Sequence, residues 1–444
     1  MSGRRLLAVF GCGLVLLALT GAGLVAQRLQ NTDAFVAVAL VQGAAYVVAV
    51  ALLRRGPSPP PVVAGVLGLA AAMRIAVIFA PPYLSNDVYR YVWDGRVIAA
   101  GVNPYRYIPA DPHLAALRDP AIYPNINRRN YAHTIYPPAA EAIFFGVTRL
   151  SASVAAMKAA MVVFEAIAIF ALLKLLVLSG QPPARIAIYA WHPLPLWEFA
   201  GSGHIDAAIV ALTTLALWSR RTERGWLAGF ALAAGTLVKF YPVVVAPALW
   251  RRWDWRLPAV FAAAVVAAYL PFIGVGWGVF GFLPHYAVEE GLSGGGGFYL
   301  WDIARAALRL GSVSVAVYLA GAGILGAGLA GFAMFRVRTD WRDDVRATAL
   351  LAGAFTLLLS PHYPWYFAWL AVFACLVPSP ALGWLTLASL LLYLVPVWPQ
   401  LMRSWPWLLV QSIIYVPFLL LAAHELRRQH GGRWVKHGEH AISR

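Results

Sequence analysis

Carboxylates and arginines cluster where one apolar segment of the chain ends. In LSNDVYRYVWDG, residues 84–95, four side chains follow the spacing i, i+3, i+4 and i+7: Asp87, Arg90, Tyr91 and Asp94. This spacing places them on one face of a helix. A carboxylate at a boundary between lipid and water is partly desolvated, so its pKa rises and it becomes a competent general base. The same spacing also fits an interfacial amphipathic helix with solvated Asp–Arg pairs, and the residues alone leave both interpretations open.

A second group of ionisable residues follows a Gly-Ser-Gly turn. In WHPLPLWEFAGSGHID, residues 191–206, His204 and Asp206 stand at a corner between two short apolar segments. Ionisable side chains at such a corner can line a polar cavity. Alternatively, Asp206 lies in the first turn of the next helix, where the helix dipole favours a negative charge. The sequence does not decide between these two roles.

A lysine stands inside an apolar stretch of the chain. Lys239 belongs to LVKFYP, two residues before Tyr241. A lysine at membrane depth is costly unless an anion meets it. A phosphate is one candidate anion, whereas Glu165 or Glu198 would be a purely structural partner. Arg74, within the third apolar segment, raises the same question, although its side chain could reach the interface.

Histidine and tyrosine occur together at another turn. In SPHYPWYFAWL, residues 360–370, His362 and Tyr363 lie between two prolines and precede further aromatic residues. Aromatic side chains are ordinary at a membrane interface. A histidine beside them could also donate a hydrogen bond to a phosphate or a sugar.

The loop 274–311 carries four consecutive glycines at 294–297. A glycine run forms neither helix nor strand without an entropic cost. It therefore fits either a mobile loop that closes over a substrate or a flexible connector. Elsewhere the chain has neither a Walker sequence nor a GxGxxG that opens a helix after a strand, so a cytoplasmic nucleotide site is not indicated.

The composition shows what kind of scaffold must hold these residues. Of 444 residues, 61% are hydrophobic and only 12% charged, about half the charge of a globular enzyme. We therefore expect an all-α polytopic membrane protein. The two cysteines, Cys12 and Cys375, suggest neither a disulfide framework nor a metal site. The net charge of +16 fits positive-inside topology and anionic lipids better than nucleic acid, for which no soluble basic domain exists.

Apolar segments predict about twelve membrane spans, several of them short and therefore tilted or broken. The predicted spans are 6–26, 35–53, 62–81, 154–178, 185–200, 204–219, 257–273, 312–335, 347–360, 365–377, 381–397 and 407–424. Leu6–Ala26 resembles a signal peptide, but its length favours an uncleaved first helix. A single domain, 1–444, is expected.

Arginine clusters set the predicted orientation, because basic residues concentrate on the cytoplasmic side. The clusters are Arg54/Arg55, Arg220/Arg221/Arg224, Arg251/Arg252/Arg256, Arg336/Arg338/Arg342/Arg346 and the basic tail 425–444. Both ends of 225–250 carry arginines, and Pro242 breaks any helix between them. We therefore predict a re-entrant hairpin there and a surface helix at 139–150. Both termini are then cytoplasmic, and the outer face carries the loops 82–153 and 274–311 and the corner 398–406.

Five segments together resemble the GT-C superfamily of integral membrane glycosyltransferases, and family 87 in particular. They are NDVYRYVWDGRVIAAGVNPYRY, TIYPPAAEAIF, GSGHIDAAIVAL, GTLVKFYPVVVAP and SPHYPWYFAWL, in order over residues 86–370. The resemblance implies a catalytic base in the first large outer loop, which by position is Asp87. Relatives often have an acidic pair there. Here Asn86 precedes Asp87, which leaves Asp94 as the nearby second carboxylate.

The resemblance also implies roles for the other polar residues. Those expected to bind the donor phosphate or lipid are Arg90, Lys239, Tyr241, His362 and Tyr363. Those expected to bind the substrate are Arg96, Tyr136, His204 and Asp206. No metal ligands and no cofactor are predicted, and a divalent cation stays open.

The implied activity is inverting transfer of a sugar, with mannose favoured, from a polyprenyl-phosphate carrier to a hydroxyl of a glycolipid or glycan. The implied location is the bacterial inner membrane, with the site on the periplasmic face. A transporter or flippase of lipid-linked sugars would share the broken helices and the intramembrane charges. Transporters, however, often carry inverted repeats with matching interrupted helices, and the sequence shows only one proline-broken hairpin.

Overall fold

The protein is built from helices. A computed structural model describes residues 3–54, 58–309, 313–338, 340–395 and 404–441, with side chains described for 6–428 within those ranges. The protein is 77% helical, and the described ranges contain no β-strand. The α-helices of at least seven residues are Gly3–Arg28, Thr32–Arg54, Pro60–Ile78, Asp87–Ala99, Pro138–Leu150, Val154–Leu178, Asp206–Arg221, Gly225–Thr236, Arg256–Tyr269, Leu283–Glu289, Tyr299–Leu308, Val315–Phe335, Trp341–Leu359, Leu370–Leu376, Pro380–Ala388 and Trp405–Ala441.

Seven helical segments within the described ranges are long and apolar enough to cross a membrane. They are Leu6–Arg28, Thr32–Arg54, Pro60–Ile78, Val154–Leu178, Arg256–Glu289, Val315–Phe335 and Trp405–Arg428. The predicted class of membrane protein therefore stands, but length and composition alone do not reach the predicted count of about twelve spans. The other predicted spans are short or interrupted.

The predicted span 185–200 shows why the count is lower. It consists of short pieces, Ala187–Ala190, Pro193–Pro195 and a wide helical turn at Leu196–Gly201. Pro193 and Pro195 supply no backbone N–H, so a continuous helix cannot form across them. The segment is almost wholly buried. It therefore lies in the core of the bundle, surrounded by longer helices.

The segment 225–250 folds out and back on itself. Gly225–Thr236 is a helix, Tyr241–Val245 a 3₁₀-helix and Ala246–Leu249 a short helix. The two ends meet, because Arg251 forms an ion pair with Glu223. Proline at position 242 starts the returning arm rather than interrupting a longer helix. The hairpin shape agrees with the sequence, and its re-entrance into a membrane stays a prediction.

The helix expected at 139–150 is present as Pro138–Leu150 and holds the tip of this hairpin. The backbone N–H groups of Ala139 and Ala140 donate to the carbonyl oxygen of Leu237, at 3.0 and 3.2 Å. The first N–H groups of a helix have no partner within it, so they are free for this contact. The outer loop and the hairpin tip are thereby joined.

The same helix packs closely on Asp87–Ala99. A β-carbon added at Gly95 would lie 2.4 Å from the carbonyl oxygen of Phe144, which makes glycine necessary at this crossing. The Tyr91 ring stacks on Phe144 with centroids 4.5 Å apart. This contact fixes the rotation of the helix Asp87–Ala99, and therefore the direction in which its first residue points.

The arginine clusters meet at the opposite end of the hairpin, which we call the arginine-rich end. Arg220 pairs with Asp254, and Asp344 accepts from both Arg336 and Arg338. Arg251 lies 3.9 Å from the same Asp344. These contacts place the clusters at 220, 251 and 336–338 on one side of the bundle, as the predicted topology requires. Arg55 and the side chains of the tail beyond residue 428 lie outside the described residues, as does most of the predicted corner 398–406.

Candidate active site

A cavity of about 800 Å³ lies beside the hairpin tip. Its walls come from five segments that are far apart in sequence. They are residues 84–90, 127–137, 239–244, 283–292 and 355–366. The cavity thus gathers both predicted outer loops, the hairpin tip and the turn 360–364 around one space.

Asp87 occupies the wall as the first residue of its helix. Its side chain is 20% exposed, and Asn127 donates from Nδ2 to its Oδ1 at 2.6 Å. Burial raises the pKa of Asp87, and the positive charges of Lys239 and Arg128 together with the Asn127 hydrogen bond oppose that rise. A carboxylate so placed accepts a proton more readily than one in water.

Arg90 and Asp94 form a buried pair one turn along the same helix. The Arg90 Nε lies 2.8 and 2.9 Å from the two carboxylate oxygens of Asp94, and its Nη1 donates to the carbonyl oxygen of Ala132 at 3.1 Å. Asp94 is 1% exposed and lies behind Arg90, which lines the cavity. Asp94 therefore orients Arg90, and the structure does not bring it to the cavity beside Asp87.

Lys239 and Tyr241 project from the hairpin tip into the cavity wall and meet Asp206. The Lys239 Nζ lies 2.5 Å from Oδ2 of Asp206, and the Tyr241 hydroxyl donates to Oδ1 at 2.9 Å. Asp206 is fully buried in the first turn of Asp206–Arg221. The Lys239 ammonium also lies 4.8 Å from the centre of the Tyr366 ring, a cation–π distance. Lys239 therefore pairs with Asp206 and not with Glu165 or Glu198, the two structural partners that the sequence suggested.

His204 lies behind Asp87 rather than in the cavity wall. Its side chain has no exposed surface, and its ring stacks on Trp365 with centroids 4.0 Å apart. Its Nδ1 is 3.9 Å from Oδ2 of Asp87, and its Nε2 is 3.5 Å from Oε2 of Glu198. The sequence interpretation had His204 bind the substrate. In the structure Asp87 lines the cavity, and His204 lies behind it.

His362 and Tyr363 line the far wall and share a carboxylate. The His362 Nδ1 lies 3.7 Å from Oε2 of Glu290, and the Tyr363 hydroxyl donates to Oε1 at 3.3 Å. Arg128 donates to the same Oε1 at 3.1 Å and to Glu289 at 2.5 Å. These contacts join the first outer loop, the second outer loop and the turn 360–364.

The glycine run is packed against this wall. Gly297 is buried with φ +87°, and a β-carbon there would lie 2.0 Å from Nε2 of His362. Its N–H donates to Asp302 at 3.1 Å, and its carbonyl oxygen accepts from Gln411 at 3.2 Å. The last glycine therefore allows a close approach to His362, a use that neither sequence interpretation included.

Two further predicted residues differ in position. Tyr136 lines the cavity and packs edge-on against Tyr91, with centroids 5.1 Å apart. Arg96 does not line it, because it pairs with Asp119 and donates to the carbonyl oxygen of Ala152 at 2.9 Å. Arg96 thus closes the outer loop on itself.

Two residues of the site did not emerge from the sequence, Asn127 and Arg128. Asn127 and Arg128 lie in an irregular stretch of the outer loop without periodicity, and the partner of Arg128 is 162 residues away.

No three His, Cys, Asp or Glu side chains within the described ranges form a group that could hold a metal ion.

Comparison with known proteins gives one family. The family described as glycosyltransferase family 87 matches residues 134–361, just over half of the chain. The match includes Tyr136, His204, Asp206, Lys239 and Tyr241. It begins after Asp87 and stops one residue before His362. No curated protein and no solved structure matches the chain.

Proposed function

The chain belongs to glycosyltransferase family 87, and from this premise we propose that it is an inverting enzyme that uses a polyprenyl-phosphate sugar. The family indicates a glycosyltransferase. In our proposal the sugar, with mannose favoured, passes to a hydroxyl of a glycolipid or glycan at the outer face of the bacterial inner membrane. The observation that carries the proposal is a cavity that brings the partly buried carboxylate of Asp87 and the cations Arg90 and Lys239 together with apolar side chains.

The shape of the cavity supports a lipid-linked donor. Its lining includes the apolar side chains Phe240, Val243 and Phe355. Phe240 and Val243 are 37% and 41% exposed, and in our proposal they face the lipid around the bundle. A polyprenyl phosphate needs an apolar path that ends at cations or hydrogen-bond donors. We assign the end of that path to Lys239 and His362, which line the same cavity.

Asp87 would start the reaction as general base. It accepts the proton of the acceptor hydroxyl while the hydroxyl oxygen attacks C1 of the sugar. The bond from C1 to the phosphate oxygen breaks on the opposite face, which inverts the anomeric centre. Phosphate is already a good leaving group, so no strong general acid is required.

The charge that grows on the leaving phosphate needs stabilisation in a largely dry site. Lys239, His362 and Tyr363 are the lining residues we assign to it, with Arg90 held ready by Asp94. We assign Asp94 to orienting Arg90, because both its oxygens already bond to that guanidinium. Tyr136 is assigned to the sugar side of the cavity.

Proteoliposomes with radiolabelled polyprenyl-phosphate mannose and a membrane extract as acceptor test this function. Asp87→Asn keeps the size of the side chain and removes its basicity, so transfer should fall by about 10²–10⁴-fold or more. The matched control is Asp111→Asn, which makes the same change in the same outer loop, where Asp111 caps a short helix away from the cavity.

The outcomes separate the two candidate functions. Label that reaches a new product with wild type and Asp111→Asn, but not with Asp87→Asn, supports the enzyme and its base. Label that only crosses the bilayer, equally in all three proteins, would mean a flippase. Transfer that persists in Asp87→Asn would show that another group is the base.

A further inference from the structure

His204 and Glu198 extend inward from the proposed base as a buried row of polar groups. Asp87 Oδ2, His204 and Glu198 Oε2 are separated by 3.9 and 3.5 Å. Both gaps exceed a direct N–H···O hydrogen bond of about 2.9 Å. Catalytic hydrogen bonds are often long in the absence of substrate and shorten when it binds. Closing both gaps requires the carboxylates of Asp87 and Glu198 to move toward the His204 ring.

The atoms that face each other along this row have no other partner. Both ring nitrogens of His204 and Oε2 of Glu198 are buried and make no hydrogen bond, whereas Oε1 of Glu198 accepts from the Tyr393 hydroxyl at 2.7 Å. A buried polar atom without a partner is costly. The cost is avoided if the three groups share protons with one another, because each then has a donor or an acceptor to face.

The position of His204 is tightly fixed. Its ring lies flat on Trp365, at an interplanar angle of 23°, and Trp365 itself lines the cavity. The wide helical turn Leu196–Gly201 supplies Glu198, and the Gly-Ser-Gly turn returns the chain so that His204 faces it. The break in the predicted span 185–200 therefore brings these two side chains together.

We propose that His204 and Glu198 form a proton relay that takes the acceptor proton from Asp87. This inference rests on the proposed function, because it requires Asp87 to be the base. It assigns to His204 a role in proton transfer in place of direct contact with substrate. Neither His204 nor Glu198 touches the reacting atoms, so both are positioning and relay residues rather than catalytic ones.

Each step of the relay balances. The O–H bond of the acceptor breaks, and a proton forms a bond to Asp87. That proton passes to Nδ1 of His204, while the proton on Nε2 passes to Oε2 of Glu198. Asp87 is again a carboxylate, His204 is again neutral, and Glu198 is a neutral acid. After the products leave, the proton returns by the same path and exits through the cavity.

Positive charges act on every member of the row. Lys239 and Arg128 disfavour a proton on Asp87, and Lys239 also disfavours one on His204 and on Glu198. The other titratable groups beside the row are Asp206, Tyr91, Tyr136, Tyr363 and Tyr393. Of these, only Tyr393 bonds directly to a member of the row.

A proton inventory tests the relay, because it counts protons that move in the transition state. Single-turnover transfer is measured in mixtures of H₂O and D₂O for wild type, Glu198→Gln and His204→Phe. Glu198→Gln keeps the size of the side chain, and His204→Phe keeps a ring against Trp365. His113→Phe is the matched control, since His113 also stacks on an aromatic ring, 4.7 Å from that of Tyr107, but does not line the cavity.

We expect a curved dependence of rate on deuterium fraction in wild type and His113→Phe, and a straight line in Glu198→Gln and His204→Phe. The rate of the chemical step should fall by up to about 10²-fold in those two variants, with KM unchanged. A straight line in wild type, or the same curve in Glu198→Gln, would overturn the relay. If the relay is overturned in this way but Asp87→Asn abolishes transfer in the same assay, the proposed function still stands. Transfer retained in Asp87→Asn would overturn both.

Discussion

Two buried ion pairs of this protein have similar chemistry and different surroundings. Arg74 and Glu165 meet through two hydrogen bonds, at 2.6 and 3.1 Å, and Arg74 also donates to the carbonyl oxygen of Ala190 at 2.8 Å. Their side chains are 4% and 0% exposed. Lys239 and Asp206 meet through one contact, and Lys239 is 13% exposed at the cavity.

The comparison teaches that a buried charge does not by itself mark a functional site. Arg74 has its donors directed at protein oxygens, so the pair is a closed structural link between two helices. Lys239 has three donors on its ammonium and directs one at Asp206, which leaves capacity toward the cavity. The two ion pairs therefore differ in access to the cavity rather than in depth in the membrane: Lys239 reaches the cavity and Arg74 does not.

The largest expected effect is on stability, from breaking the closed pair. Arg74→Met leaves Glu165 buried without its partner, which should lower the free energy of unfolding by about 3–5 kcal/mol. Thermal unfolding in detergent measures this loss. Replacing both residues, Arg74→Met with Glu165→Leu, should recover most of it, since no unpaired charge remains. If Arg74→Met instead unfolds like wild type but loses transfer, the distinction between the two pairs is wrong.

The next effect is on rate, from the pair at the cavity. Lys239→Met removes a cation that we assign to the leaving phosphate, so kcat/KM should fall by about 10²–10³-fold. Its stability loss should be smaller than that of Arg74→Met, because Asp206 keeps the Tyr241 hydroxyl and the favourable dipole of its helix. If Lys239→Met and Arg74→Met lost equal amounts of stability, the distinction between a structural pair and a pair at the cavity would be wrong.

The smallest expected effect is a shift in pH dependence. Asp87 must be deprotonated to act as base, so kcat/KM falls as the pH is lowered through its pKa. Because burial raises that pKa, the acid limb should lie above the ordinary aspartate value of about 3.9. Lys239 opposes the rise, so the limb of Lys239→Met should move to higher pH. A limb that moves to lower pH would contradict the proximity of Lys239 and Asp87.

The sequence predicts the long helices well, because apolar segments of sufficient length have few alternatives. The ends of Val154–Leu178 agree with the predicted span to the residue. It also predicts the out-and-back path of 225–250 from the arginines at both ends and Pro242 between them, while re-entrance of this segment into a membrane stays a prediction. It predicts poorly where prolines interrupt an apolar segment, as at 185–200, because composition there still resembles a span.

The sequence identified most of the residues around the candidate site, but not which of them line the cavity and which lie behind it. Asp87, Lys239, Tyr241, His362 and Tyr363 line one cavity, and the roles that the resemblance implies for them stay predictions. Periodicity also placed Asp94 on the same helix face, but could not show that Arg90 would occupy both its oxygens. Nor could it place His204 behind Asp87, because that depends on how tightly the turn at Gly201–Gly203 closes. Arg128 and its glutamate partners are joined only by the tertiary fold.

The distribution of the cavity walls along the chain has a consequence for synthesis. The proposed base is Asp87, whereas the wall with His362 is completed only near residue 366. A ribosome makes the chain in that order, and Arg128 must wait for Glu289 and Glu290 before the outer loops are joined. An unfinished chain therefore carries its carboxylate without the wall assigned to the phosphate. Activity becomes possible only once most of the protein has entered the membrane.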